Sequence, residues 1–340
     1  MRRDPGRLLG RVRTPRRLVS VAGIFVANTL NAHAAPLSVM WPIDCELERT
    51  CFIQNYVDRD PGPGARDFAC GTLTYDGHKG TDIALPDLIA LRRGVRVLAA
   101  APGRVRAVRD DVVDRSFTEP GQDAVVRQRE CGNGVVIVHE DGWESQYCHL
   151  RNGSVAVRPG QSVAAGDALG RVGLSGRTEF PHLHFELRRN GRAVDPFDDS
   201  PDSAKCGQSA HALWRTGVAY RATGLIAMGF APTTPDRTAA EHGEYIAHEL
   251  ASSAPALSVW VQIYGARKGD RLALRIFAAD GSNIVDAPGM PLPRNQSRYF
   301  QFAGLRRGAK PWPEGTYRGE FQLTRGDEVV LRIERTASIR

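Results

Sequence analysis

Residues 181–191, PHLHFELRRNG, carry the strongest local pattern of the 340-residue chain. From His182 to Arg188, apolar and polar side chains alternate as on a β-strand with one buried face, and Asn190-Gly191 favours a tight hairpin turn after it. Residues two apart on a strand point to the same face, so His182 and His184 are expected to lie side by side. Two imidazoles on one face of a strand need polar or metal partners.

Two upstream segments offer such partners. In His78-Lys79-Gly80-Thr81-Asp82, a glycine between the imidazole and the carboxylate permits a bend that brings both side chains to one point. In Tyr147-Cys148-His149-Leu150, a histidine ends a predicted strand. A lone His-x-x-x-Asp is more often a hydrogen-bonded surface pair than a pair of ligands. The joint occurrence of all three clusters, in this order, predicts one metal site.

The sequence around these clusters predicts short strands separated by glycine and proline. The strands are expected at residues 95–100, 104–108, 135–139 and 143–149, with another between the two glycine turns of residues 157–167. Strands 135–139 and 143–149 should form a hairpin around Asp141-Gly142. Residues 110–130 lack periodicity and predict a long surface loop, and such loops often border a site.

Beyond Cys206 the composition changes little and the candidate metal-binding clusters fade, but the strand pattern continues. Alternating runs at residues 258–264, 270–277, 298–302, 316–324 and 329–336 predict an immunoglobulin-like sandwich. A short helix is expected at residues 238–252. His248-Glu249 begins like a zincin helix, but Ser252 stands where the second histidine is needed, so this segment is interpreted as a solvated helix or loop.

The N-terminus has the composition of a secretory signal peptide, predicted for residues 1–34. Seven arginines precede an apolar run at residues 18–30, which ends in Ala32-His33-Ala34. An uncleaved signal anchor is the alternative. The apolar run is too short to span a bilayer comfortably, and no other stretch approaches the required length, so the mature chain is expected to have no integral membrane segment.

The predicted signal peptide also accounts for the basic character of the chain. The full chain has 45 Lys and Arg against 38 Asp and Glu, and residues 1–34 hold seven of the former and only Asp4 of the latter. The rest therefore carries 38 against 37, a net charge of +1. The high isoelectric point thus does not indicate binding to nucleic acid.

Six cysteines, an even number, suit an exported protein whose thiols are oxidised. Cys131 and Cys148 flank the predicted hairpin and are therefore expected to form a disulfide. The other four, Cys45, Cys51, Cys70 and Cys206, allow three pairings that the sequence does not rank, and some cysteines could instead be free and buried. Cys148 lies beside His149, so a thiol peptidase is a further alternative.

In combination the motifs resemble the LytM/lysostaphin-type zinc metallopeptidases. The order is His-x-Gly-x-Asp, Tyr-x-His-Leu, Val-x-Pro-Gly-Gln-x-Val-x-x-Gly-Asp and His-Leu-His-Phe-Glu, and the resemblance covers residues 71–197. It implies that His78, Asp82 and His184 bind one Zn²⁺ per chain and that His149 and His182 are the catalytic histidines. Cys148 departs from the pattern, because a small residue such as alanine or glycine is more usual there.

The resemblance implies a lysostaphin-type β-sheet peptidase domain at residues 35–205. Together with the immunoglobulin-like domain that the strand spacing predicts at 206–340, the expected fold is all-β. The resemblance also implies a secreted or periplasmic zinc endopeptidase acting on the peptide cross-links of peptidoglycan. Three protein ligands leave the fourth position of zinc open, as in hydrolytic sites. The alternative is a non-catalytic amidase activator with structural zinc. Many such relatives have lost ligands, whereas all five positions are intact here, and nothing in the sequence selects the bond.

Overall fold

The structure is a computed structural model that describes residues 1–2, 37–200, 206–207, 212–245 and 248–340. The predicted signal peptide, apart from its first two residues, lies outside the described part. In the part that is described, no helix is long and apolar enough to cross a membrane.

The described ranges form 18 strands and three short helices, so the chain is nearly all β. The strands before residue 206 are β1 Phe52–Asn55, β2 Thr81–Ala84, β3 Arg96–Leu98, β4 Gly103–Arg109, β5 Asn133–Val138, β6 Trp143–Leu150, β7 Ser162–Val163, β8 Ala168–Arg171, β9 His182–Arg189 and β10 Arg192–Val194. The later strands are β11 Gly224–Ala231, β12 Glu249–Leu250, β13 Ala256–Ala266, β14 Arg271–Phe277, β15 Asn283–Ala287, β16 Gln296–Arg306, β17 Gly315–Arg325 and β18 Glu328–Ile339. The helices are α1 Leu88–Arg93, α2 Gln122–Val126 and α3 Arg237–His242.

The largest sheet has the order β1-β2-β9-β6-β5-β4-β7, with β10 paired to β9, and its pairings are antiparallel. The predicted hairpin of β5 and β6 is confirmed. So is the hairpin of β9 and β10, where Asn190 and Gly191 both have positive φ (50° and 78°). Leu183 and Phe185 of β9 are fully buried in the core, whereas the intervening His182 and His184 are only partly buried. The alternation predicted for β9 is therefore confirmed.

The strands predicted on either side of Ala101-Pro102-Gly103 exist, but they do not pair with each other. β3 pairs with β8 in a separate two-stranded sheet, while β4 pairs with β5 and β7. Gly103 lies so close to β5 that a Cβ there would be 2.5 Å from the Val138 carbonyl oxygen. The turn therefore carries the chain from one sheet to another. The predicted loop at residues 110–130 is irregular apart from α2.

The C-terminal half is a β-sandwich, as predicted. One sheet has the order β11-β13-β16 and the other β12-β18-β17-β14-β15, with β12 parallel to β18. Val259, Leu274 and Phe321 are fully buried between the sheets. At the start of β17, Tyr317 donates a hydrogen bond to the Pro313 carbonyl (3.0 Å), the tyrosine corner of immunoglobulin-like domains. The predicted all-β fold with an immunoglobulin-like sandwich is confirmed.

The helix predicted at residues 238–252 is confirmed only as far as His242, where α3 ends, and is wrong for the residues after it. α3 begins after Asp236, whose side chain accepts a hydrogen bond from the Ala239 amide. It ends at the C-cap Gly243, which adopts φ 77°. Glu249–Leu250, interpreted from sequence as helix or loop, is strand β12 and pairs with β18. Tertiary pairing to a long strand overrides local helix propensity here.

Two hydrophobic clusters fill the two halves of the chain. Some side chains of the C-terminal half nevertheless pack into the first cluster. The Tyr264 ring stacks on Phe52 at a centroid distance of 5.0 Å, and its hydroxyl donates to the Glu48 carboxylate (2.9 Å). The halves thus share an apolar interface, and a domain boundary near residue 206 stays a prediction.

All six cysteines are paired. Cys131–Cys148 is confirmed, and the two other bonds are Cys45–Cys51 and Cys70–Cys206. The latter closes a loop with a sequence separation of 136 residues, against six for Cys45–Cys51. Chain entropy predicts that the longer loop stabilises the fold more, by about 5 against about 2 kcal/mol.

We therefore expect the double variant Cys70→Ser/Cys206→Ser to lose more stability than Cys45→Ser/Cys51→Ser. Urea denaturation of both variants and of the wild-type protein measures the two losses in free energy of unfolding. Equal losses, or a larger loss for the short loop, would show that chain entropy does not determine how much each disulfide stabilises the fold.

Asp195, directly after β10, predicts an unusual dependence of stability on pH. Burial raises the pKa of its carboxyl to about 7, against about 3.9 in an unfolded chain. As pH rises, the unfolded state loses this proton at a lower pH than the folded state does. The carboxyl therefore lowers the free energy of unfolding progressively between about pH 4 and 7. Asp195→Asn keeps the acceptor for the Phe197 amide (2.9 Å) and cannot ionise.

We expect Asp195→Asn to match the wild-type protein in melting temperature near pH 4 and to exceed it by several degrees at pH 8, a gain of a few kcal/mol. Melting curves across this pH range test it. A difference between the two proteins that is constant with pH would contradict it.

Candidate active site

The three cluster segments found in the sequence meet on one face of the large sheet. β2 and β9 are neighbours, and Asp82 lies directly opposite His184 in their register. β6 flanks β9 on its other side and carries His149 near its end. His78 lies just before β2. The antiparallel pairing of β2, β9 and β6 therefore brings together residues more than 100 positions apart.

His78, Asp82 and His184 point one ligand atom each at a common centre. Asp82 Oδ1 is 3.2 Å from His78 Nε2 and 2.8 Å from His184 Nδ1, and the two nitrogens are 3.2 Å apart. In a tetrahedral zinc site with bonds of about 2.0–2.1 Å, neighbouring ligand atoms are separated by about 3.3 Å. These separations, and a donor set of two imidazoles and one carboxylate, fit zinc.

Neighbouring backbone and side-chain groups orient the three residues. His78 Nδ1 is 2.6 Å from the Tyr56 carbonyl oxygen, which can only accept, so Nδ1 carries the proton and Nε2 keeps its lone pair. Asn55 Nδ2 donates to Asp82 Oδ2 (3.0 Å), which leaves Oδ1 to face the imidazoles. The orientation of each group therefore suits metal binding.

Gly80 is required for the close packing of this site. A Cβ at this position would lie 2.6 Å from His184 Nε2 and 2.7 Å from the Phe185 carbonyl oxygen. Any other residue would therefore press against the imidazole or against β9. This contact explains why a glycine separates His78 from Asp82 in the sequence.

His149 and His182 form a second pair beside the first group, with ring centroids 4.6 Å apart. His182 Nδ1 lies 2.9 Å from the Phe180 carbonyl oxygen, and His149 Nδ1 lies 2.8 Å from that of Ser175. Both Nδ1 atoms thus donate, and both Nε2 atoms are left to accept a proton. His182 Nε2 is 3.5 Å from Asp82 Oδ1.

The backbone at His149 is held in a conformation that non-glycine residues seldom adopt, with φ 63°. Its amide donates to the Cys131 carbonyl and its carbonyl accepts from the Gly173 amide (2.8 and 2.9 Å). Residues in such conformations persist where the surroundings fix them, and they cluster at functional sites. Here the Cys131–Cys148 disulfide adjoins the strained residue.

The charges of the site depend on burial and on mutual contacts. Burial, with the neighbouring His182 and His184, lowers the pKa of His149 well below its usual range, so this imidazole is neutral. Burial alone would raise the pKa of Asp82, but His78 and His182 outweigh it and hold that pKa well below its usual range. Asp82 in turn helps to raise the pKa of His78 against the effect of burial. The group therefore contains an ionised carboxylate ready for a cation.

Four of the five residues line a cleft of about 1100 Å³ that is open to solvent. Asp82, His149, His182 and His184 form part of its wall. Phe117 and Thr118, from the long loop predicted to border a site, line it as well. The cleft is large enough to hold a peptide segment.

Cys148 and the other histidines near these segments have structural roles or lie elsewhere. Cys148 is in a disulfide, which excludes it as a nucleophile, so the thiol-peptidase alternative is wrong. His139 bonds the Pro102 carbonyl and the Ser145 hydroxyl (2.6 and 2.8 Å). His248 lines a different cavity, together with Trp260. Asn55 and the Tyr56 carbonyl were not foreseen, because no local motif marks them.

Sequence comparison places the site in a known family. The model of peptidase family M23 matches residues 76–196, which span His78, Asp82, His149, His182 and His184. These residues form a peptidase family M23 domain.

Curated relatives include both enzymes and an activator. The M23 region is 36% identical over 106 residues to the "DD-carboxypeptidase/endopeptidase Mpg" of Neisseria meningitidis, covering 31% of this chain and 22% of that protein. It is 32% identical over 120 residues to the "Murein hydrolase activator NlpD" of Escherichia coli, covering 35% of this chain and 25% of that protein. The chain thus spans about a quarter or less of the length of these relatives.

Among solved structures, the catalytic domain of lysostaphin from Staphylococcus simulans aligns at 23% identity with a TM-score of 0.26. The alignment covers 42% of this chain and 89% of that domain.

Proposed function

We propose that this protein is an exported, zinc-dependent endopeptidase that hydrolyses peptide cross-links of bacterial peptidoglycan. The observation that carries the proposal is the geometry of five side chains: three ligand atoms spaced as a tetrahedral metal requires, and two further imidazoles beside them in an open cleft. The match to the model of peptidase family M23 and the similarity to a "DD-carboxypeptidase/endopeptidase" support peptidoglycan peptides as the substrate class.

In this proposal His78, Asp82 and His184 hold the zinc ion. Bound zinc supplies Lewis acidity toward water and toward a peptide carbonyl. His149 and His182 take the remaining roles, those of general base and of hydrogen-bonding partner to the developing oxyanion. Their Nδ1 atoms are fixed on backbone carbonyls, so both rings present Nε2 for proton transfer.

Export is supported by two independent features. The N-terminal sequence resembles a cleavable signal peptide, and the three disulfides suit an oxidising compartment such as the periplasm or the cell exterior. Peptidoglycan is accessible from both locations.

The second candidate is a non-catalytic activator of other wall hydrolases, which the similarity to NlpD favours. Incubating the mature protein with purified sacculi, with and without a zinc chelator, separates the two functions. We expect soluble muropeptides with new peptide ends, released only without chelator. Chromatography and mass spectrometry of these products also identify the bond. Sacculi left intact by the zinc-loaded protein would contradict the peptidase proposal.

A further inference from the structure

The C-terminal half contributes one wall of the cleft that contains the histidines. That cleft is lined on one side by Asp82, His149, His182 and His184, and on the other by residues of α3 and β16. The residues from the C-terminal half are Arg237, Thr238, Glu241, Gln296, Ser297 and Arg298. A ligand in the cleft would therefore contact both halves of the chain.

Arg298, on β16, lies beside the segment that carries His182. Its guanidinium carbon is 3.7 Å from the centroid of the Phe180 ring, and its side chain is only 6% exposed. Phe180 immediately precedes Pro181-His182, and its carbonyl oxygen is 2.9 Å from His182 Nδ1. A cation is therefore stacked within two residues of a candidate catalytic histidine.

The guanidinium of Arg298 is a buried cation with unused hydrogen-bond donors. Stacking on Phe180 occupies its face, whereas its N–H groups lie in its plane. Within the described ranges, Nε and Nη2 are buried and have no hydrogen-bond acceptor. Glu241 Oε1 is 3.7 Å from Nη2, too far for a hydrogen bond, and it already accepts from Arg237 and Gln262 (2.8 and 2.9 Å).

Such a group favours an anionic ligand. Burial lowers the pKa of Arg298 to about 10, against the attraction of Glu241, so the side chain stays charged at neutral pH. A buried donor without an acceptor costs free energy, and a carboxylate supplies two acceptor oxygens in the geometry of the guanidinium fork. Peptidoglycan stem peptides, the substrate of the proposed function, carry several free carboxylates.

We propose that Arg298 binds a free carboxylate of the stem peptide and so makes the C-terminal half part of the substrate-binding site. This inference rests on the proposed function. Nε and Nη2 are shielded from solvent. The ligand must therefore draw the edge of the guanidinium into the cleft. Arg298 is a specificity-determining residue in this account, since it contacts the substrate away from the scissile bond.

The test measures binding rather than turnover, so that it does not depend on catalysis. The probe is the synthetic stem peptide L-Ala-γ-D-Glu-meso-diaminopimelate-D-Ala, together with three versions in which one of its three free carboxylates is amidated. Isothermal titration gives the Kd of each peptide for the zinc-loaded full chain, for Arg298→Gln and for a control, Arg306→Gln. Arg306 is an exposed arginine on the same strand, outside the cleft.

We expect one amidation to weaken binding to the wild-type protein and to Arg306→Gln by about 10- to 100-fold. The same amidation should have almost no effect on Arg298→Gln. Three results would overturn the inference. Arg298→Gln could weaken the binding of all four peptides equally, which would indicate a structural role. Alternatively, the amidation effects could persist in Arg298→Gln, or no peptide could bind to the wild-type protein.

Sacculus digestion with the same preparations separates this inference from the proposed function. If the wild-type protein distinguishes the peptides, Arg298→Gln does not, and the wild-type protein leaves sacculi uncleaved, the proposed function fails and the role of Arg298 stands. If it cleaves sacculi without distinguishing the peptides, the role of Arg298 fails and the proposed function stands.

Discussion

His184→Ala is expected to abolish both zinc binding and hydrolysis, whereas His182→Ala should keep zinc and lose hydrolysis. His184 Nδ1 lies within 3.2 Å of both other ligand atoms, so its loss leaves only two protein ligands. His182 lies outside the three-residue group but within the cleft, 3.5 Å from Asp82. Loss of acid–base catalysis typically lowers a rate by about 10²- to 10⁴-fold.

Atomic absorption of the purified variants measures their zinc content, and release of muropeptides from sacculi measures their rates. His242→Ala is a suitable control because it removes an exposed histidine that does not line the cleft. Its zinc content and rate should match those of the wild-type protein. Equal zinc in His182→Ala and His184→Ala would refute the division of roles between the two histidines.

Gly80→Ala is expected to damage the site almost as severely, although glycine has no ligand atom. The added methyl group would lie 2.6 Å from His184 Nε2 and 2.7 Å from a backbone oxygen of β9, and real Cβ atoms do not approach so closely. The imidazole or the strand must shift, which separates His184 from Asp82. We expect zinc affinity to fall at least 10- to 100-fold, as when groups that orient metal ligands are lost.

Competition with a fluorescent zinc chelator gives the affinity of the variant. Gly217→Ala is the control, since a Cβ there meets no heavy atom of the described residues within 4 Å, apart from those of its chain neighbours. The control should bind zinc like the wild-type protein. Unchanged zinc affinity in Gly80→Ala would mean that the packing around His184 does not determine metal binding.

The sequence predicted well those features that depend on local periodicity. Alternation in β9 placed His182 and His184 on one face, and Asn190-Gly191 predicted the hairpin with β10. The strands of the C-terminal sandwich were also expected, because glycine turns separate regular alternating runs. The disulfide of Cys131 and Cys148 followed from their positions flanking a hairpin.

Features that depend on contacts between distant segments were not predictable. Nothing local in the sequence pairs β3 with β8 instead of β4, or places Asn55 against Asp82. The end of the helix expected at residues 238–252 gave way to strand β12, because β18 offers Glu249–Leu250 a pairing partner. The position of Arg298 in the cleft wall likewise results from packing between the two halves. The five histidine and aspartate positions were foreseen through their motifs, and their roles remain predictions.

Anomalous diffraction at the zinc absorption edge, from crystals of the mature protein purified with zinc, tests the metal site most directly. The account predicts one strong anomalous peak per chain, about 2.0–2.2 Å from His78 Nε2, His184 Nδ1 and an Asp82 oxygen, with no fourth protein ligand. A peak bound by other residues, or a fourth ligand supplied by the protein, would contradict it.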